Sequence, residues 1–269
     1  MRISIVIPTY NRASRVQDTI ESSLLTFSGL PAESEIIVVD DASTDTTVEQ
    51  LHARFASEIA RGALRVVANA ANRGVTGSKN AGFELATGDW VAFLDSDDVF
   101  LPGIGKAVID VLYANHDKPI VFFRCRDHAG NPIGAPLDRD LMVGLTDFIE
   151  GGTRGESLPI VNRRIVAQGP YIEALRGYEG LAYCRIISRH GPALVSQVAA
   201  RRYDLGGTDR LSSFRGKLKR MCALARGHRL LLTEFGTVMS GRKRASYCVK
   251  ALIYGAIGTL HRFAGGVQE

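Results

Sequence analysis

Long charge-free apolar runs are missing from these 269 residues. No stretch of about eighteen apolar residues is free of charge, so no membrane-spanning helix is expected. Cysteine is sparse. Cys125, Cys184, Cys222 and Cys248 stand far apart, with neither the paired spacing of a zinc site nor the density of a disulfide framework. A reducing, cytoplasmic setting fits that usage. The opening Met1-Arg2-Ile3-Ser4-Ile5-Val6-Ile7-Pro8 turns polar too soon for a signal peptide. Two glycine-rich phosphate cradles are absent as well. The first apolar run leads into Pro8-Thr9-Tyr10-Asn11, so G-x-G-x-x-G is missing, and no G-x-x-x-x-G-K-[ST] occurs. There is no internal repeat and no low-complexity tract.

Charge is present but uneven. The net charge is +5. Residues 201–250 hold thirteen Lys and Arg against Asp204, Asp209 and Glu234, which leaves the rest of the chain net negative. An acidic body with a basic C-terminal part implies that this end faces something anionic.

The most informative stretch is Trp90-Val91-Ala92-Phe93-Leu94-Asp95-Ser96-Asp97-Asp98. Val91 to Leu94 has the unbroken apolar character of a buried parallel strand. It stops in three carboxylates, which repel one another and lose hydration at a strand end. A hard divalent cation with oxygen ligands removes that cost. The alternative is that Asp97 or Asp98 caps the following helix and the rest is solvated turn.

Ile3 to Ile7 and Glu35 to Asp41 read as two further buried strands, the second also ending in carboxylates. Val16, Ile20 and Leu24 mark a helix between them. Ala42-Ser43-Thr44-Asp45 is an N-cap signature before a helix carrying Val48, Leu51 and Phe55. Leu64 to Val67 is a strand, and Thr76 to Ala86 a helix closed by Gly88. Alternating strands and helices with short connections predict a doubly wound, mostly parallel α/β sheet over about residues 1–125. The strand ends at Thr9 to Arg12, Asp40-Asp41 and Asp95 to Asp98 then open onto one crevice, where ligands of such sheets bind. Any nucleotide there must be held by carboxylates and a metal more than by a backbone cradle.

Beyond residue 119 the pattern changes. Ile120 to Phe123 is a strand, Arg126 to Pro132 a hairpin turn, Val161 to Val166 a short strand, and Pro170 to Leu175 a helix. A helix with Leu181, Cys184, Ile186 and Ile187 inward follows Arg176-Gly177-Tyr178-Glu179-Gly180. Ala193 to Ala199 is a last strand. After Gly206-Gly207 the chain reads as helices.

Four motifs stand in order: Ile5-Val6-Ile7-Pro8-Thr9-Tyr10-Asn11-Arg12, Val38-Val39-Asp40-Asp41-Ala42-Ser43-Thr44-Asp45, Asn72-Arg73-Gly74 with Lys79-Asn80-Ala81-Gly82, and Phe93-Leu94-Asp95-Ser96-Asp97-Asp98. Each alone is weak, but in this order the chain resembles the inverting, GT-A-fold family 2 glycosyltransferases over about residues 1–200. The resemblance implies a GT-A-type sheet in residues 1–205, with a donor-binding half (1–125) and an acceptor half (126–205), and a basic helical region at 206–269. It implies a nucleotide-sugar donor, usually a UDP-sugar. Pro8, Thr9, Asn11 and Arg12 would line the base and ribose pocket. Asp40 would accept from the base or ribose, with Asp41 in support. Asn72, Gly74 and Lys79 would border the phosphates or sugar. Asp95, Ser96 and Asp97 match the D-x-D, with Asp97 as the direct ligand of Mg²⁺ or Mn²⁺ and Asp95 on the ribose or a metal-bound water.

The family's catalytic base is generally the acid of a Glu-Asp pair before a helix. Here Gly180 replaces the Asp, and Glu179 is the carboxylate left at the motif. Glu179 read as an ordinary first-turn helix acid is the alternative; Asp204 and Glu173 are weaker candidates for the base. By resemblance the acceptor is a glycan or a polyprenyl-linked sugar, in bacterial surface or exopolysaccharide synthesis. A catalytically degenerate relative and a sugar nucleotidyltransferase are the competing readings. The basic clusters Arg215, Lys217, Lys219, Arg220 and Arg242, Lys243, Arg244 flank an apolar segment near 247–257. Peripheral contact of 215–260 with the anionic inner face of the plasma membrane is expected, the alternative being a packed helix with a solvated basic face. Nucleic acid is not expected, since no aromatic interleaving accompanies the basic residues.

Overall fold

The computed structural model describes residues 1–203, 218 and 220–264, the last three of these by backbone alone. Nine strands form one sheet among the described residues. They are β1 (Arg2–Thr9), β2 (Glu33–Asp40), β3 (Leu64–Ala68), β4 (Trp90–Phe93), β5 (Val99–Phe100), β6 (Ile120–Arg126), β7 (Leu141–Val143), β8 (Ser157–Asn162) and β9 (Ala193–Arg202). The order is β3-β2-β1-β4-β8-β6-β9-β5, with β7 on β9. The pairs β1/β2, β1/β4, β2/β3 and β6/β9 are parallel, while β8 runs antiparallel to both β4 and β6.

Successive residues of β1 and β2 point to opposite faces, and both faces are covered. Ile3, Ile5 and Ile7 with Ile36 and Val38 pack under α1 (Ala13–Phe27), α2 (Thr47–Arg54) and α5 (Gly105–Ala114). Val6, Ile37 and Val39 pack on the other side under α4 (Gly74–Leu85) and α7 (Gly180–His190). This two-sided burial is why the strands read as continuous apolar runs. The helix α4 lies so close to the sheet that a Cβ on Gly82 would stand 2.3 Å from Val6 Cγ1. A short α3 (Ala56–Ala60) follows α2.

Two expected elements differ. Residues 170–175 form turns, not a helix. Asn80 of α4 takes their backbone, donating to Tyr171 C=O (2.8 Å) and accepting from Tyr171 N–H (3.0 Å), and Thr76 donates to Glu173 C=O (3.0 Å). With those groups satisfied from α4, a helical ladder has no advantage. The strand expected at 161–166 instead ends at Asn162, whose C=O accepts from Ile165 and Val166 N–H in a tight turn (3.2 and 2.9 Å). The turn at 126–132 is present, closed by Asp127 N–H on Asn131 C=O (2.9 Å).

A third apolar cluster joins α6 (Leu145–Gly151) and α7 to the C-terminal helices, α8 (Met221–Phe235) and α9 (Gly241–Ala264). The last two form an antiparallel pair. Ala225 faces Gly255, and a Cβ on Gly258 would meet Cys222 Sγ at 2.6 Å. Polar clasps hold the pair to the sheet domain. Arg185 of α7 grips Glu234 with two hydrogen bonds (2.8 and 2.6 Å), and Glu150 accepts from the N–H and Oγ of Ser240, just before α9 (2.8 and 3.1 Å). Asp204, Arg215, Lys217 and Lys219, singled out in the sequence, lie outside the described residues. Among the described residues, no helix is long and apolar enough to cross a membrane.

Candidate active site

The carboxyl ends of β1, β2 and β4 bring the first, second and fourth motifs together, and α4 adds the third. The loop after β1 is tied to the loop after β2 by Asn11, which adopts φ +50°. Its Oδ1 accepts from Thr44 N–H (2.8 Å), and its own N–H donates to Ser43 Oγ (2.8 Å). Pro8 and Thr9 are buried at the strand end, and Thr9 Oγ1 is enclosed without a hydrogen-bond partner. Asp40 spends both oxygens on Ser43, accepting from its N–H (2.8 Å) and its hydroxyl. Ala42 is held at φ +61° between these turns.

Asp41 caps α4. It accepts from Arg73 N–H (2.8 Å), Gly74 N–H (2.6 Å) and Asn69 Nδ2 (2.9 Å), so a carboxylate already occupies this helix N-terminus. Gly74 itself sits at φ +76°, and a Cβ there would stand 1.8 Å from Arg176 Nε. Glycine is needed twice over, for the backbone and for the guanidinium above it. Arg176 in turn donates to Asn72 Oδ1 (2.6 Å), which fixes Asn72 at the crevice rim. Arg176 was not found from the sequence, because nothing local links it to residues a hundred positions earlier.

The acidic turn after β4 sorts its three carboxylates among three cations. Asp95 Oδ1 is 2.8 Å from Lys79 Nζ, Asp97 Oδ2 is 2.7 Å from Arg12 Nη1, and Asp98 Oδ2 is 2.9 Å from Arg201 Nη1. The Asp98–Arg201 pair is buried, at 1% and 4% side-chain exposure, and ties the start of β5 to β9. Neither Asp97 nor Asp98 caps a helix, since α5 begins only at Gly105. That alternative for the turn is corrected by the structure. Arg201 was missed because β9 was expected to end at Ala199, and the strand runs on to Arg202.

Ser96 is buried, whereas Asp97 and Asp95 keep 23% and 37% of their side chains exposed toward the crevice. Burial favours a neutral Lys79, but Asp95 and Glu179 outweigh it and hold the ammonium above its ordinary pKa. Burial works to raise Asp95, but Lys79, Arg201 and Arg12 outweigh it and hold its carboxyl below the usual range.

Glu179 is the N-cap residue of α7. It lies within electrostatic reach of Lys79, Tyr171 and Tyr183, and both phenols are raised by burial and by neighbouring negative charge. The two phenol oxygens are 3.0 Å apart. Glu173 pairs with Arg73 on the surface. On its other side Glu179 borders a cavity of about 350 Å³, lined also by Tyr178, Cys184, His228, Tyr247 and Lys250. Burial and Lys250 bring His228 down to about 4, and its Nδ1 shares a hydrogen bond with Tyr178 Oη at 2.6 Å.

Asp97 and Asp95 supply hard oxygen donors, both partly exposed, at the end of β4. Among the described residues, no group of three or more His, Cys, Asp or Glu is placed to hold a metal unaided. One or two carboxylates are the donors a hard divalent cation takes when ligand oxygens and waters complete its shell.

The sequence profile of glycosyl transferase family 2 matches residues 4–147. The chain belongs to that family. An uncharacterized glycosyltransferase of Haemophilus influenzae is 34% identical over 120 residues, which are 45% of this chain and 37% of that one. The GalNAc(5)-diNAcBac-PP-undecaprenol beta-1,3-glucosyltransferase of Campylobacter jejuni is 27% identical over 191 residues, 69% of this chain and 59% of that one. The match thus spans less than two thirds of either relative. Among solved structures, S. aureus TarS in complex with UDP-GlcNAc superposes with TM-score 0.65 at 18% identity, covering 100% of this chain and 76% of that one. The mannosyltransferase PcManGT from Pyrobaculum calidifontis, in complex with GDP-Man and Mn²⁺, gives 0.64 at 18% identity, covering 99% and 76%. The fold is the GT-A type that the motifs imply.

Proposed function

We propose that residues 1–205 form the catalytic domain of an inverting glycosyltransferase, followed by a basic C-terminal region at 206–269 that includes α8 and α9. The donor is a nucleotide-sugar, with a UDP-sugar the first to test. The acceptor is a growing glycan or a polyprenyl-linked sugar, as the name of the Campylobacter undecaprenol-linked glucosyltransferase suggests for that relative. The observation that carries this reading is the convergence of the Arg12–Asp97 and Lys79–Asp95 pairs at adjacent parallel strand ends, with Glu179 within electrostatic reach of Lys79.

The chemistry follows from those charges. Pro8, Thr9 and Asn11 bound the base and ribose pocket at the end of β1. Asp40 and Asp41 shape that pocket through the loops they fix. Asp97, with Asp95 behind it, would hold Mg²⁺ or Mn²⁺. Such an ion supplies Lewis-acid neutralisation of the departing nucleoside diphosphate. Lys79 adds a buried positive charge that needs no reorganisation during reaction. Arg12, freed from Asp97, is placed to take a phosphate or ribose oxygen. Glu179 takes the proton of the acceptor hydroxyl as that oxygen attacks the anomeric carbon from the face opposite the leaving group. The sugar–phosphate bond breaks on the other side, so the anomeric configuration inverts. The cavity beside Glu179 is the acceptor entrance in this reading.

The test is nucleoside diphosphate release from a donor panel, for wild type and Glu179→Gln. Release that needs a divalent cation and falls in the variant supports the assignment. Donor binding without turnover in wild type, across a broad acceptor panel, would favour the degenerate, binding-only relative.

A further inference from the structure

Large apolar side chains on the surface are concentrated on one helix. Val249 (53% exposed), Leu252 (74%), Ile253 (49%), Ile257 and Leu260 (69%) all belong to α9. Their spacing places them along one stripe of the helix. The opposite stripe carries Tyr247, Ala251, Tyr254 and Gly258, which meet α8 through His228 and Cys222. So α9 is apolar on both faces, and among the described residues only the inner one is packed. Elsewhere among the described residues exposed apolar side chains are scattered, as on ordinary surfaces.

Charge says what the outer face meets. Over its 24 residues α9 carries Arg242, Lys243, Arg244, Lys250 and Arg262, and no Asp or Glu. Arg242, Arg244 and Lys250 are exposed. A second copy of this chain would bring an equally cationic helix against the first. An anionic surface offers the complement. A helix of this length and polarity lies along a bilayer interface and does not cross it.

We propose that the outer face of α9 docks onto an anionic lipid bilayer. The packing then has a consequence for the acceptor. Tyr247 and Lys250 of this same helix line the cavity that Glu179 borders. A helix lying on the bilayer therefore brings that cavity to about one helix diameter, roughly 10 Å, from the lipid surface, where a lipid-linked sugar diphosphate is presented. The docking itself rests on the surface of α9. Only its link to the acceptor rests on the proposed function.

The test is co-sedimentation with phosphatidylcholine vesicles, with and without phosphatidylglycerol. Wild type is compared with Leu252→Glu/Leu260→Glu and with Arg242→Glu/Arg244→Glu. These side chains are exposed and outside the catalytic set, so the variants are expected to keep the wild-type melting temperature and donor affinity. Wild type should bind the anionic vesicles and be released by salt, and each double variant should lose about tenfold or more in binding. Absence of wild-type binding to anionic vesicles, or undiminished binding of the leucine variant, overturns the proposal. So does a wild-type dimer in light scattering that becomes monomeric in the leucine variant, since a second copy would then cover this face. Vesicle binding by a protein that fails to bind any nucleotide-sugar would strike the proposed function and leave the docking intact.

Discussion

Arg12 Nη1 stands 2.7 Å from Asp97 Oδ2, joining the first motif to the fourth across 85 residues of sequence. In the free protein a guanidinium holds the carboxylate that the proposed chemistry assigns to a metal. Cation and guanidinium compete for it until a diphosphate arrives with negative charge for both. Arg12→Ala is therefore expected to strengthen binding of Mn²⁺ alone by about fivefold, the worth of a partly exposed ion pair, and to weaken donor binding. Mn²⁺ titration followed by thermal shift, beside donor calorimetry, reads the two effects. Equal weakening of both would mean that Arg12 does not compete for Asp97.

Glu179→Gln keeps the size of the side chain and removes its basicity. A general base contributes about 10²–10⁴-fold. We expect kcat to fall within that range with donor affinity nearly unchanged. A fall below tenfold would place the base elsewhere.

Asp98 serves the core. Removing one partner of a buried ion pair leaves the other charge stranded, at a cost of about 3–5 kcal/mol. Asp98→Ala should show that loss in denaturant unfolding. Asp97→Ala, at a partly exposed side chain, should cost far less stability. Asp98→Leu/Arg201→Met should recover most of the loss, because neither charge then remains buried alone.

His228 gives the pH dependence. Its folded-state value, about 4, lies below the 6.5 of a free imidazole, so the unfolded chain binds the proton more readily. The contribution of this group is complete above pH 6.5 and is lost as pH falls toward 4. The melting temperature should decline across that window, and His228→Phe should flatten the decline. If the variant shows the same slope, another group is responsible.

The parallel half of the sheet was legible because β1, β2 and β4 are covered on both faces and therefore read as apolar runs ending in polar motifs. That Arg12, Asp95 and Asp97 meet followed from the rule that ligands sit at carboxyl strand ends, whereas Lys79, on α4, was placed with them by the family resemblance. What escaped was the work of long-range partners. Asn80 and Thr76 hold 171–173 in turns that a local pattern reads as a helix. The two-residue β5 and three-residue β7 are too short to leave a periodic trace. Arg201 and Arg176 act on residues about a hundred positions away, and no spacing rule connects them. Asp40 and Asp41 stood out as carboxylates for a ligand, yet their hydrogen bonds go to Ser43 and to the start of α4. Sequence shows that a carboxylate is present, not what satisfies it.

The most direct test is calorimetric titration of UDP-, GDP- and dTDP-sugars, with and without Mn²⁺, into wild type and Asp97→Ala. The site described here predicts that one donor binds wild type in a Mn²⁺-dependent way, and that the dependence disappears in Asp97→Ala. Donor binding that is indifferent to Mn²⁺ and to Asp97, or no binding of any donor, would contradict it.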